Sequence, residues 1–246
     1  MATVVISQPM FFPWVGMLEQ IRQADTYVHY DDVQFSKGSF SNRVQVKTAA
    51  GSKWLTVPLR NLHLGQTINQ VEIEPMADWI TRHLALLEQA YRGAPFAEDM
   101  LSLVRGVYAL PHANLSELAI ESTMALLRYF GIGSGTTFHH SSLLGTPGRN
   151  NERVLALVRR CGGDRYVTGH GAKNYLDHEG FAAAGVEVDY LDYQKIPYPQ
   201  LHGEFTPFVS ALDLVANCGR QGISVISSGT ISWKEFMARI NQAENA

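Results

Sequence analysis

The densest polar chemistry of the chain lies between Asp31 and Arg43, where two carboxylates, two amides, an ammonium, several hydroxyls and a guanidinium fall within 13 residues. Adjacent carboxylates at the end of a strand can share a proton, bind a divalent ion, or divide the tasks of orienting a group and taking its proton. Asp31 and Asp32 are therefore candidate catalytic residues. Gln34 and Asn42 are suited to orienting an amine or a carbonyl, and Lys37 and Arg43 to holding an anion such as a diphosphate, Arg43 through a bidentate contact. A solvated loop or a capping network could share this composition, but Phe35 and Phe40 give the segment apolar anchors that such loops usually lack.

A second candidate runs from Thr168 to Tyr175, where Gly169 and Gly171 flank His170 ahead of Lys173, Asn174 and Tyr175. Small residues let backbone N–H groups approach a ligand, and a helix start favours an anion. His170 is the third candidate catalytic residue, and Lys173, Asn174 and Tyr175 join the binding set. The alternative is a tight connection from strand to helix. The third candidate is the proline-stiffened aromatic loop from Gln8 to Gly16, in which Gln8, Phe12 and Trp14 could form a stacking wall or a hydrophobic plug. Its placement is similar to that of the HxGH loop of nucleotidylyltransferases, but Trp14-Val15-Gly16-Met17 contains neither histidine. No HxxxH, CxxC, GxSxG, P-loop or GxGxxG pattern occurs, so neither a metal nor a cofactor is expected.

These segments need a scaffold. Residues 3–7 read as a buried strand, residues 16–24 as a helix and residues 26–30 as a second strand, the simplest case being a right-handed parallel crossover. Residues 54–59 and 71–74 read as further strands. Helices are expected near 76–92, 95–109 and 114–130, punctuated by Gly93-Ala94-Pro95 and by Pro111 to Asn114, and ended by Gly131. Strands at 136–140, 165–168 and 186–190 then alternate with helices near 150–161 and 174–184. Trp233 to Gln242 closes the series as a helix with Ser232 at its N-cap. The pattern predicts an α/β fold with a mainly parallel sheet flanked by helices, the 76–130 helices forming an insertion or a cover, in a single domain over 1–246. In such sheets ligands sit outside the carboxyl ends of the strands, where all three candidate segments fall. Tyr193 to Phe208, rich in proline and aromatics, reads as an ordered lid or as a loop packed on the sheet.

Composition narrows the classes. The chain has 246 residues, 46% of them hydrophobic and only 17% charged against about 25% in an average domain. That suits a folded protein with a large core and excludes a disordered one. A net charge of −3 without a basic run argues against a duplex-binding protein. Cys161 and Cys218 are far apart and form no disulfide framework. The N-terminal residues lack a signal-peptide pattern, and no apolar run approaches the length of a membrane span. The expectation is a soluble cytoplasmic protein.

The chain resembles the WbqC-like family of bacterial proteins. The resemblance rests on Ser7-Gln8-Pro9, Phe12-Pro13-Trp14-Val15-Gly16 and Asp31-Asp32-Val33-Gln34-Phe35 with Lys37, Ser39, Asn42 and Arg43. It continues through Tyr166, Gly169, Gly171-Ala172-Lys173 and Tyr175-Leu176, then Tyr198, Gln200, Phe205-Thr206-Pro207 and Ser210 to Leu214. It adds Tyr198 and Gln200 to the binding candidates, and implies a polysaccharide or glycosylated-metabolite pathway with a nucleotide sugar or amino sugar as ligand. The leading expectation is an enzyme transferring an acyl or aminoacyl group, glycyl for example, to the amine of a nucleotide-linked sugar. The expected partners are that small molecule, with an acyl or aminoacyl carrier protein as a possible donor and a possible homo-oligomer, but no nucleic acid and no membrane. The alternatives are a nucleotidyl or phosphoryl transferase-like enzyme with a divalent metal at Asp31 and Asp32, and a non-catalytic protein that binds a carrier-bound or nucleotide-linked intermediate.

Overall fold

A computed structural model describes residues 1–244. Strand β1 (Thr3–Ser7) is followed by helix α1 (Val15–Arg22) and strand β2 (Thr26–His29). β1 and β2 pair in parallel, with Val4 opposite Thr26 and Ser7 opposite His29. Between β2 and the next strand of this sheet lie a hairpin, β3 (Arg43–Thr48) and β4 (Gly51–Thr56), a short pair, β5 (Leu59–Arg60) and β6 (Glu72–Ile73), and three helices, α2 (Ile80–Ala90), α3 (Ala97–Tyr108) and α4 (Leu115–Phe130). The chain returns as β7 (Thr137–His140), then α5 (Ser141–Leu144), α6 (Asn150–Arg160), β8 (Arg165–Thr168), α7 (His178–Ala183) and β9 (Glu187–Asp192). Helix α8 (Ala211–Cys218), strand β10 (Gly229–Ser232) and helix α9 (Trp233–Glu244) complete the described chain.

The six-stranded sheet has the order β10-β9-β8-β1-β2-β7. All its pairings are parallel except that of β10 with β9. The α/β expectation therefore holds, with an antiparallel edge. From β1 the chain builds outward through β2 to β7, then crosses back to lay β8 on the other side of β1. Such a reversal opens a crevice at the carboxyl edge, because the connections on either side of it leave in opposite directions.

Alternating strand residues feed two cores. Val5, Tyr27 and Val167 join α1, α2–α4 and α8 in the larger one. Val4, Ile6, Val28, Tyr166 and Val188 join α6, α7 and α9 residues in the other. The 76–130 helices thus cover the α1 face of the sheet. Asn114 caps α4 by accepting from the Glu117 N–H, Gly131 ends it in the left-handed region, and Ser232 accepts from the Glu235 N–H at the start of α9.

Four features depart from the expected elements. Residues 54–59 are not one strand: β4 stops at Thr56, just before Pro58, which lacks an N–H, and Leu59 pairs elsewhere with Ile73. β3 begins inside the segment taken as a polar loop. α8 has Ala211, Leu212, Leu214, Val215 and Ala216 all buried, so it shows no one-sided stripe to read. The 174–184 helix divides into a 3-10 turn, His170–Asn174, and α7.

Candidate functional site

At the strand-order reversal lies a cavity of about 1820 Å³. Its base is formed by the carboxyl ends of β1, β2 and β8, through Ile6, Ser7, Tyr30, Tyr166 and Thr168. One wall is made by the loop after β1 and by the β3–β4 hairpin, with Met10, Phe11, Trp14, Phe40, Val44 and Trp54. The opposite wall is the segment 148–154, which carries the first turn of α6, together with residues 169–172 and Tyr175. Tyr193, Lys195 and Phe208 close one side.

The loop after β1 is fixed by side chains distant in sequence. Ser122 on α4 donates to the Ala119 carbonyl at 2.7 Å and accepts from the Phe12 N–H at 2.8 Å. Thr123 donates to the Met10 carbonyl, and Ser210, at the N-cap of α8, donates to the Phe12 carbonyl. This clamp holds Phe12 at φ 39°, with its ring fully buried against Phe11 and Tyr108. Phe12 is a core residue here, turned away from the cavity. Trp14 faces the cavity, edge-on to Tyr193, and its indole folds back over Gly16, where a Cβ would lie 2.2 Å from the ring. Gln8 also lines the cavity and is exposed.

The two adjacent carboxylates have different environments. Asp31 is 3% exposed and lies outside the cavity lining. It accepts from the Ser142 N–H and hydroxyl, from His140 Nδ1 and from the Ser141 hydroxyl, whose single proton it shares with Asp32; all these donors lie where β7 passes into α5. Burial alone would push its carboxyl up, but these donors outweigh burial and hold it below the usual carboxylate range. Asp32 lines the cavity, accepts from Ser141 at 2.5 Å and is ion-paired with Arg153, whose guanidinium also lies over the Tyr30 ring at 5.3 Å. With Asp31 enclosed by four donors and Asp32 turned to Ser141 and Arg153, the pair does not present a shared set of oxygens to a divalent ion. Among the described residues no three His, Cys, Asp or Glu side chains converge as a metal site.

At the end of β8 the polar groups are fewer and less engaged. His170 Nε2 lies 2.8 Å from the Leu191 carbonyl, and the ring rests against Phe236. A carbonyl only accepts, so Nε2 must carry the proton, and in the neutral ring Nδ1 has a free lone pair. His170 is exposed and lines the cavity. Tyr175 lines it too, and its carbonyl accepts from Asn151, which ties this turn to the start of α6. Arg149, Arg153 and Lys195 face a lining whose one carboxylate, among the described residues, is Asp32. The cavity is therefore locally cationic in a chain of net negative charge.

The structure brings together Gln8, Trp14, Asp32, Gln34, His170 and Tyr175. The other residues singled out lie elsewhere. Asn42 donates to the Val57 carbonyl, which fastens the hairpin. Arg43 donates to the Gly38 carbonyl and stacks over Trp54 at 4.2 Å. Lys37 is exposed outside the lining, and Lys173 and Asn174 belong to the 3-10 turn beside it. Tyr198 is buried in the larger core next to Asp213, whose carboxyl burial pushes up. Gln200 bridges Lys47 and the Thr206 backbone. The segment 193–208 has neither helix nor strand and is pinned by Lys47, which donates to the Gly203 carbonyl, and by His202, which donates to the Ala90 carbonyl. Only part of it reaches the cavity. Arg149, Asn150 and Arg153 lie outside every segment singled out from the sequence, whereas Tyr193, Lys195 and Phe208 come from the segment expected as a lid or packed loop. The Gly145-Thr146-Pro147-Gly148 turn ahead of Arg149-Asn150-Asn151 is the sequence signal for the α6 wall.

No helix among the described residues is long and apolar enough to cross a membrane. No solved structure matches the chain. It is 32% identical over 224 residues to the uncharacterized protein Rv1507c of Mycobacterium tuberculosis (strain ATCC 25618 / H37Rv), covering 90% of this chain and 96% of that one. The WbqC-like protein family matches residues 8–225. With that match spanning both walls of the cavity, the chain belongs to the WbqC-like protein family.

Proposed function

We propose that the protein modifies a nucleotide-linked amino sugar by transferring an acyl or aminoacyl group, such as glycyl, to the sugar amine. The supporting observation is the pairing, in one cavity at the strand-order reversal, of a cationic wall with a histidine whose Nδ1 is free. Arg149, Arg153 and the first turn of α6 suit a diphosphate, through charge and through backbone N–H groups. The Tyr175 ring, on the same side as α6, suits stacking on a base or sugar face. The pathway implied by the family resemblance supplies the sugar, and a cytoplasmic setting belongs to the same reading.

The chemistry needs no protein nucleophile. The amine nitrogen bonds to the acyl carbon, the bond from that carbon to the leaving group breaks, and the proton shed by nitrogen goes to His170 Nδ1. The imidazolium returns that proton to the departing thiolate or alkoxide. The Leu191 carbonyl favours this cycle by holding the tautomer whose free nitrogen is Nδ1 and by stabilising the charged ring. Asp32 holds Arg153 in place, and Asp31 serves the scaffold rather than the proton.

The test is to incubate the pure protein with nucleotide-linked amino sugars paired with small-thioester, aminoacyl and carrier-protein-bound donors, following product mass. The expected result is one pair in which the sugar gains the acyl mass, with the product lost in His170→Ala. Saturable binding of a nucleotide sugar without product from any donor would overturn the transfer reading in favour of a binding protein.

A further inference from the structure

We propose that the cavity holds acceptor and donor at the same time, in two subsites. A nucleoside diphosphate lies against the α6 wall, and the acyl end of a thioester occupies an apolar slot between the loop after β1 and the β3–β4 hairpin. The inference rests on the transfer reading above and specifies how its two substrates are arranged.

Size is the first argument. Pockets for a single small ligand usually fall near 300–1,000 Å³, whereas this cavity is about 1820 Å³. It reaches from Leu191 on β9, past β8 and β1, to Tyr30 at the end of β2. Four neighbouring strands span about 14 Å at ordinary strand spacing.

The walls differ in origin and in chemistry. Phe11 and Val44 belong to the core on the α1 face, while Val154 and Ala172 belong to the core on the opposite face. The first wall is mainly apolar, with Gln8 and Gln45 its polar members: the Phe11 N–H donates to the Phe40 carbonyl, tying the loop to the segment that leads into β3, and the Phe40 and Trp54 rings lie 6.1 Å apart. The second wall is cationic. Arg149 on that wall makes no side-chain hydrogen bond or ion pair among the described residues, so its charge is available to an anion.

A third argument comes from what the lining lacks. Alternating binding would require a side chain to carry the acyl group between substrates. Cys161 and Cys218 are outside the lining, and no Ser or Thr hydroxyl is hydrogen-bonded to His170 among the described residues. With no cysteine in the lining and no Ser–His pair at His170, direct attack of the amine on a donor bound beside it is the simplest route.

Calorimetry with two probes tests this in the full chain: uridine diphosphate, and a short fatty-acyl thioester of N-acetylcysteamine, which has no phosphate. Each is expected to saturate one site, with the affinity for either changing less than about threefold when the other is saturating. Native mass spectrometry should show the protein with both bound. Arg149→Ala should weaken uridine diphosphate about tenfold and spare the thioester, and Trp54→Ala should do the reverse. Mutual displacement of the probes, or failure of either to bind, would overturn the inference. Joint binding with no product from any substrate pair sinks the transfer reading and leaves the two subsites standing. Product formation with mutually exclusive binding does the opposite.

Discussion

The ends of β2 and β8 both open onto the carboxyl edge of the sheet, yet they use their polar residues in opposite ways. After β2, Asp31 is surrounded by donors from His140, Ser141 and Ser142, and Asp32 is held by Ser141 and Arg153. After β8, His170 uses one ring nitrogen on a backbone carbonyl and leaves the other open. The first region is rich in polar groups and nearly saturated, while the second is sparse and unsaturated. Remaining hydrogen-bond capacity marks a candidate reaction centre better than polar density does, because a group already committed to the scaffold cannot serve a substrate without breaking that scaffold.

The largest effect expected from this contrast is at the β8 end. His170→Ala should lower turnover roughly 10²–10⁴-fold, the usual contribution of a positioned acid–base group. Its cost in stability should stay within about 1 kcal/mol, because the ring is exposed and has one backbone partner. Asp31→Ala should behave in the reverse sense, losing about 3 kcal/mol in urea unfolding as several donors are left buried without an acceptor. Measuring turnover and unfolding midpoints in both variants decides the matter. Equal destabilisation by the two substitutions would erase the distinction.

How far sequence can separate such regions follows from the same physics. The parallel sheet was legible from short β-branched runs separated by helical spacing, and the covering helices from their caps and glycine stops. α8 was not, since a helix buried on every side has no apolar stripe. At the cavity, Gln8, Trp14, Asp32, Gln34, His170 and Tyr175 could be named because each lies within a few residues of a strand end. Arg149 and Arg153 could not, because their place depends on α6 crossing back over β1 to meet Tyr30 and Asp32. The saturation of Asp31 was equally hidden, as its donors are more than 100 residues away. Tyr198 and Gln200 stand in a patterned segment that also supplies Lys195 to the cavity, and spacing alone does not say which of these turns inward.

The contrast between saturated and open histidines can be read with pH. His83 donates from Nε2 to the Thr56 carbonyl, and its Nδ1 is 2.8 Å from the Tyr108 hydroxyl, so neither nitrogen is available to a substrate. Burial pushes it down to about 4, and burial beside His140 pushes His29 down to about 3. Both are neutral in the folded state where the unfolded chain would take up a proton. Their contribution is therefore fully present above about pH 6.5 and is lost as pH falls through about 4 and 3. Asp31, held low, acts in the same sense at lower pH. The unfolding free energy should fall between pH 6.5 and 4, by up to about 3 kcal/mol from His83 at ~1.4 kcal/mol per pH unit. In His83→Gln that slope should be shallower, even if the variant is less stable at pH 7. An unchanged slope would mean that His83 does not titrate with folding.

The smallest expected effect is on Arg43, which separates anchoring from anion binding inside the β2 segment itself. Its guanidinium donates to the Gly38 carbonyl and stacks on Trp54, which lines the cavity, although Arg43 does not. Arg43→Lys keeps the positive charge but loses the planar stack and the fork of donors. If Arg43 only braces Trp54, the substitution should cost about 0.5–1 kcal/mol of stability. It should then change uridine diphosphate affinity less than about twofold. If Arg43 instead binds the diphosphate bidentately, the loss in affinity should reach tenfold or more, since a bidentate contact to an anion is worth more than a surface stack. The distinction matters for the whole comparison. A weak response at Arg43 beside a strong one at Arg149 would place the charge used for binding on the α6 wall, opposite the segment in which most of the sequence's polar chemistry is gathered.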